Sequence, residues 1–168
     1  MEANIFKPAM RSGLILGILF SVNFLLSIPT HVITSILTWV VIAVIIVATL
    51  RLSKEYRDKE LGGFISYGKS FLFIVISFFY ASIISTFVKI VYFQFINPDF
   101  LREIYNQSML MMEQLNMPIT DEFEASMNSF LKPVPFLFMY VILNMICGAV
   151  VGSIMAAFVK KEKSIFEE

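Results

Sequence analysis

Hydrophobic positions along this chain run unbroken rather than alternating with polar ones. Four such runs stand out: Ser12–Ile28, Val32–Leu50, Phe71–Phe95 and Pro135–Val159. Within them Lys89 is the one fully charged side chain, and there is no Asp or Glu. A helix needs roughly 20 apolar residues to cross the hydrocarbon core of a bilayer. The runs therefore predict four transmembrane helices, an all-α integral membrane fold, and one transmembrane domain over residues 1–168. Lys7 and Arg11 before the first run imitate a secretory leader. However, Ser27-Ile28-Pro29-Thr30 is a poor cleavage site and a second run follows at once, so the first helix is expected to be retained.

The connections are polar and differ in kind. Pro29-Thr30-His31 is so short that the helices it joins must be antiparallel neighbours. Arg51–Glu60 extends the second run with opposite charges at i,i+4 (Arg51–Glu55, Lys54–Asp58, Glu55–Lys59), which favours a helix protruding about two turns into water. Gly62-Gly63 supplies its stop. The third connection, 97–132, predicts two short amphipathic helices. One is expected to open at Asn97-Pro98, as N-cap and first helical residue, and Met117-Pro118 ends it. Thr120 or Asp121 caps the other, whose apolar face is Phe123, Met127, Phe130 and Leu131. The polar face of this segment is acidic (Asp99, Glu103, Glu113, Asp121, Glu122 and Glu124), which places it in the headgroup region or as a cap on the bundle rather than as a hairpin inside the membrane.

Charge adds orientation. Lys7, Arg11, Arg51, Lys54, Arg57, Lys59, Lys69, Lys160, Lys161 and Lys163 fall on one side, and Arg102 and Lys132 on the other. The positive-inside bias places both termini in the cytoplasm, which makes 97–132 an outer segment. Composition agrees with lipid as the solvent. The chain is 58% hydrophobic and only 15% charged, with a formal net charge of zero, against nearer a quarter charged for soluble domains. A zero balance gives no pull toward nucleic acid. Cys147 is the single cysteine, so no intramolecular disulfide can form.

Small residues recur every fourth position in two of the runs: Gly13, Gly17 and Ser21 in the first, Asn144, Gly148, Gly152 and Ala156 in the last. Such stripes let helix backbones approach where lipid removes the hydrophobic drive. Their matching depth predicts that the first and fourth helices touch along them; the alternative is a stripe that joins two copies of the chain. Ser77, Ala81 and Ser85 form a similar ladder in the third run.

Candidate chemistry is sparse. Lys89 lies ~9 Å from the outer end of its helix. It suits a ligand or lipid contact, since charge within the membrane marks function. Snorkelling toward Asp99 and Glu103 is the plainer expectation. Asn23 and Asn144 are expected to hydrogen-bond between helices. Tyr56 and Arg57, with the KELGGFISYGKS stretch that follows, suit contact with anionic lipid or a cytoplasmic partner. The outer methionines (Met109, Met111, Met112, Met117, Met127) are soft donors but lack His or Cys beside them, so apolar packing is the expectation. The lone His31 makes no metal site. Phosphate loops, HExxH and GxSxG are missing from the sequence, and no span carries the acidic or histidine relay of proton-coupled transport. No catalytic residue, cofactor or metal is predicted.

The KPAMRSGLILGILFSV opening, the YRDKELGGFISYGKSF block, the FINPDF exit and the basic tail together resemble DUF family 4199. These are small bacterial, largely Bacteroidetes, four-span membrane proteins of unknown function. The resemblance implies a cytoplasmic (inner) membrane location, a cytoplasmic Tyr56–Lys69, and no inherited catalytic residues. The expected function is a non-catalytic accessory or scaffold protein, held by membrane lipids and self-associating or paired with another membrane protein. The alternative is a small oligomeric channel or transporter.

Overall fold

The structure, a computed structural model, describes residues 4–29 and 31–162. Thr30 in the first turn and Lys163 in the basic tail lie outside the described residues. Six helices follow in order: α1 (Phe6–Ser27), α2 (Val32–Glu60), α3 (Tyr67–Val91), α4 (Phe100–Gln114), α5 (Asp121–Phe130) and α6 (Pro133–Val159). A π-helical turn, Tyr92–Ile96, continues α3. Four of these helices, α1, α2, α3 with its π turn, and α6, are long and apolar enough to cross a membrane. No strand is present among the described residues; Ile65 and Lys161 form an isolated antiparallel bridge.

Helix ends follow local chemistry. α2 continues past its apolar run to Glu60. Gly62 and Gly63 then take φ values of 66° and 91°, left-handed conformations that glycine adopts without a Cβ penalty. Of the three expected i,i+4 pairs one forms, Lys59 to Glu55 at 2.6 Å. Asp58 is taken instead by its neighbour Arg57, at 2.7 and 3.1 Å. Thr120 caps α5 by accepting from the Phe123 N–H at 3.2 Å. Asn97 does not cap α4. Its N–H donates to the Tyr92 carbonyl at 2.9 Å, closing the π turn. Asp99 takes the N-cap position of α4, without a side-chain cap hydrogen bond.

Two compact units divide the chain, one of Met1–Ser85 with Leu143–Glu168 and the other of Thr86–Ile142. The core of the first includes Leu16, Tyr56, Phe73, Ile74, Ala156 and Val159. Its helix register can be read from the glycines. A Cβ on Gly13 would meet Tyr80, Ser77 and Ala81, and one on Gly17 would meet Ala81 and Ile84. Positions advance together on both helices, so α1 and α3 run parallel. A Cβ on Gly148 would meet Phe78, and one on Gly152 would meet Ile74 and Phe71. Here one register rises as the other falls, so α6 runs antiparallel to α3. α2 packs along α1.

These contacts correct the expected pairing of α1 with α6. The closest neighbours of Gly13, Gly17, Gly148 and Gly152 all belong to α3. α3 offers what each stripe needs. Ser77 and Ala81 are short enough to bring its backbone against α1, while the Phe78 ring fills the space above Gly148. Ser21 and Ala156 are buried with their stripes; the Ser21 hydroxyl donates to the Gly17 carbonyl at 2.7 Å. Asn144 is half-buried.

The second unit holds α4 and α5 with the adjoining parts of α3 and α6. Its interior is aromatic. Phe93 stacks on Phe100 at 5.3 Å between centroids and meets Phe136 edge-on at 5.6 Å. Such pairs add to plain area burial. Along α4, Leu101 is buried, whereas Met111 and Leu115 are exposed. Only part of its apolar face therefore meets protein.

Candidate functional site

Polar chemistry gathers where α2 emerges from its apolar run. The Arg57 guanidinium donates to the Val159 carbonyl at 3.0 Å, while its other N–H groups hold Asp58. Val159 ends α6, where carbonyls lack helical partners and the helix dipole favours a cation. The chain beyond α6 then pairs with the chain ahead of α3. Ile65 N–H donates to the Lys161 carbonyl at 2.9 Å, and Lys161 N–H returns a bond to Ile65 at 3.0 Å. The Tyr67 hydroxyl donates to the Ser153 carbonyl at 2.9 Å, and the Lys161 ammonium sits 5.4 Å from the Phe64 ring centre. Arg57, Ile65 and Tyr67 thus fasten α2, α3 and α6 together at one end.

The electrostatics here are local. The hydrogen bond from Arg57 holds the Asp58 carboxyl below its usual range, and the bond from Lys59 does the same for Glu55. Both carboxylates are exposed, so neither pair carries much stability. Arg57 is different, since it lies half-buried. Arg57→Ala is expected to cost about 1–3 kcal/mol by stranding the Val159 carbonyl, and Arg57→Lys should recover only part. A denaturation series in detergent checks this; full recovery by lysine would mean that charge alone matters there.

Tyr56 is buried, 3% exposed. Its ring stacks on Phe73 with centroids 4.2 Å apart and planes within 5°, yet its hydroxyl has no hydrogen-bond partner. Buried polar groups are normally satisfied, and an orphan costs about 1–3 kcal/mol. Ser70 Oγ and Asn23 Oδ1 are likewise buried without partners, so the Asn23 carbonyl oxygen makes none of the interhelical bonding expected of that residue. The remaining buried hydroxyls mostly turn back onto their own helices. Thr49 donates to Ile45, Ser53 to Thr49 and Ser77 to Phe73, at 2.7–2.8 Å.

Lys89 occupies the second unit and is 3% exposed. Its Nζ lies 4.1 Å from the centre of the Tyr140 ring. The ammonium is held over an aromatic face inside the protein rather than carried out to water, which departs from simple snorkelling. A desolvated cation–π contact contributes about 2 kcal/mol or more. Thr86, one turn away on α3, has a buried hydroxyl without a partner. Nothing in sequence spacing alone pairs Lys89 with Tyr140, which follows it by two further helices.

His31 is exposed at the N-cap position of α2, and Cys147 is exposed on α6. No group of three or more His, Cys, Asp or Glu side chains is placed to hold a metal ion among the described residues.

Helices of this length and apolarity, alternating in direction, define a multi-pass α-helical membrane protein. The chain belongs to the DUF4199 family of proteins of unknown function, whose model matches residues 11–161. No curated protein and no solved structure matches it.

Proposed function

We propose that the chain is a non-catalytic subunit of the bacterial cytoplasmic membrane, with both termini cytoplasmic, serving as accessory or scaffold to another membrane protein or to a second copy of itself. The observation that carries this reading is α2. Across its 29 residues only Ile45, Thr49, Ser53 and Tyr56 are buried. Val32, Ile36, Trp39, Val40 and Val47 are exposed. A helix that gives so little to its own core keeps a broad apolar face for lipid or a neighbouring helix. The polar groups at the charged end support the same reading, because Arg57 and Tyr67 are occupied in joining helices.

A photoreactive residue in place of Val40, activated in native membranes, tests the proposal. A discrete adduct with one membrane protein, in fixed ratio to this chain, is the expected result. Adducts with lipid alone would remove the scaffold reading. Reagents that cannot cross the membrane should reach a cysteine placed at Lys160 only after permeabilisation; labelling in intact cells would reverse the orientation.

Lys89 favours the second reading, an oligomeric channel or transporter, because a cation within an apolar helix often marks an ion path. For a subunit without transport activity, liposomes carrying wild type and Lys89→Met should show the same background flux of anions and cations. A wild-type flux that Lys89→Met abolishes would overturn the subunit reading in favour of transport.

A further inference from the structure

Between the ends of α1 and α2 lies a cavity of about 100 Å³, bordered by Pro8, Arg11, Ser12 and Ile15 on α1 and by Leu52, Glu55, Tyr56, Lys59 and Glu60 on α2. That volume admits several waters, and so a small polar group. Three observations bear on what belongs there.

Depth is the first. The apolar run of α1 opens at Ser12 and that of α2 closes at Leu50. On α1 the cavity straddles this transition, between Arg11 and Ser12; on α2 it begins at Leu52, two residues past the close of the run, and follows the helix toward the headgroups and water. Ile15 and Leu52 border it on the apolar side; Lys59 and Glu60 border it on the charged side.

The second is unmet hydrogen bonding. Tyr56 borders the cavity, is 3% exposed, and its hydroxyl has no partner in the protein. Ser12, also buried, stands opposite on α1. An occupant with acceptor oxygens would satisfy a donor that the fold otherwise strands.

Charge is the third. Lys59 is already held by Glu55 at 2.6 Å. Arg11 and Glu60 remain, one cation and one anion, neither in an ion pair among the described residues, although Arg11 also acts on the Glu55 carboxylate across the cavity. A guanidinium suits a phosphate, which it can grip with two parallel hydrogen bonds. A carboxylate suits an ammonium. A purely anionic headgroup would satisfy Arg11 and be repelled by Glu60.

We propose that this cavity binds a zwitterionic phosphate–ammonium group, the chemistry of an ethanolamine phospholipid headgroup, with Arg11 and Tyr56 contacting the phosphate and Glu60 the ammonium. Ile15 and Leu52 then face the glycerol end, where the acyl chains begin. The assignment uses α1 and α2 alone and does not depend on the subunit reading, since a protein of any function can hold such a lipid.

The test is lipid retention. Full-length protein in detergent is equilibrated with equal amounts of phosphatidylethanolamine, phosphatidylglycerol and phosphatidylcholine of matched acyl chains. It is then passed through a sizing column, and bound lipid is counted by mass spectrometry. The ethanolamine lipid should be retained about tenfold over the other two, the discrimination that one charge-assisted hydrogen bond provides. Glu60→Gln should abolish that preference, whereas Arg11→Gln should lower retention of all three lipids together, and Tyr56→Phe should lower it less while the melting temperature stays at or above wild type. The Arg11 and Glu60 side chains are exposed, so both variants should fold. Equal retention of the three lipids by wild type, a preference that survives Glu60→Gln, or total retention unchanged in Arg11→Gln would overturn the assignment. A second arm separates the sources of the group. Glycerophosphoethanolamine without acyl chains should leave the melting temperature unchanged if the natural occupant is a membrane lipid. If it raises that temperature as the intact lipid does, the headgroup chemistry stands and a free phosphoester becomes the occupant.

Discussion

Gly13→Ala and Gly148→Ala should each lower the stability of the detergent-solubilised protein by about 1–3 kcal/mol, the usual range for overpacking a close contact, while Gly152→Ala should leave it nearly unchanged. The contrast rests on what each new methyl group would strike. At Gly13 it would collide with Tyr80 Cβ and lie 2.9 Å from the Ser77 carbonyl oxygen. Those atoms belong to the body of α3 rather than to the end of a flexible side chain, so relief requires the helices to separate. At Gly148 the Phe78 Cβ stands 2.8 Å away, again an atom that cannot swing aside. At Gly152 the nearest atoms are Ile74 Cγ2 and Phe71 Cδ2, both at 3.4 Å, which is ordinary contact. Unfolding in graded denaturing detergent, followed by circular dichroism, measures all three. Equal losses at Gly13, Gly148 and Gly152 would show that helix propensity or dimer contacts, rather than packing on α3, govern these positions. Leucine at Gly13 or Gly148 should prevent folding outright.

Tyr56→Ala should cost about 3–5 kcal/mol, the range for removing a buried aromatic ring, whereas Tyr56→Phe should be neutral or slightly stabilising. The alanine variant removes the partner of Phe73 and opens a hole in the core that α2 shares with α3. The phenylalanine variant keeps the stack and discards a hydroxyl that the protein leaves unsatisfied. The pair of variants separates ring from hydroxyl. A large loss in Tyr56→Phe would mean that the hydroxyl has a strong partner in the folded protein, and would place water or another group there permanently.

Much of this architecture follows from sequence order alone, and the reasons are physical. A run as long and apolar as Val32–Leu50 has few ways to satisfy its backbone in lipid other than as a helix. Gly62-Gly63 ends α2 because few other residues accept a left-handed backbone, and Thr120 caps α5 through a bond to a neighbour three residues on. These are local effects, and a linear reading captures them. Asn97 misled for an equally local reason. Its cap chemistry was legible, but the π turn from Tyr92 runs up to Asn97 and α4 opens later, with Asp99 at its N-cap position.

The candidate site was legible only in part. Tyr56 and Arg57 stood out as a tyrosine and a basic residue at the edge of an apolar run. Their use did not, because Arg57 acts on Val159 and Tyr56 on Phe73. The same limit hid the Ile65–Lys161 pairing, whose two segments are ordinary loop sequence. Arg11 carried only its charge in the sequence, as a leader-like basic residue and as part of the orientation bias. Its place beside Tyr56 and Glu60 depends on how α1 lies along α2.

Sequence by itself determined that this chain makes four membrane-length helices, where the charged connections begin, and that small residues line α1 and α6. These are properties of residues close together in the chain, settled by the cost of placing backbone and charge in hydrocarbon. Tertiary structure alone decided that α3 receives both small-residue stripes, that Lys89 lies over Tyr140, and that a cavity with an unsatisfied tyrosine opens between α1 and α2. A helix carries several faces that could each accept a neighbour. Which one does is set by the fit of side chains from distant parts of the chain, and hydropathy does not encode that fit.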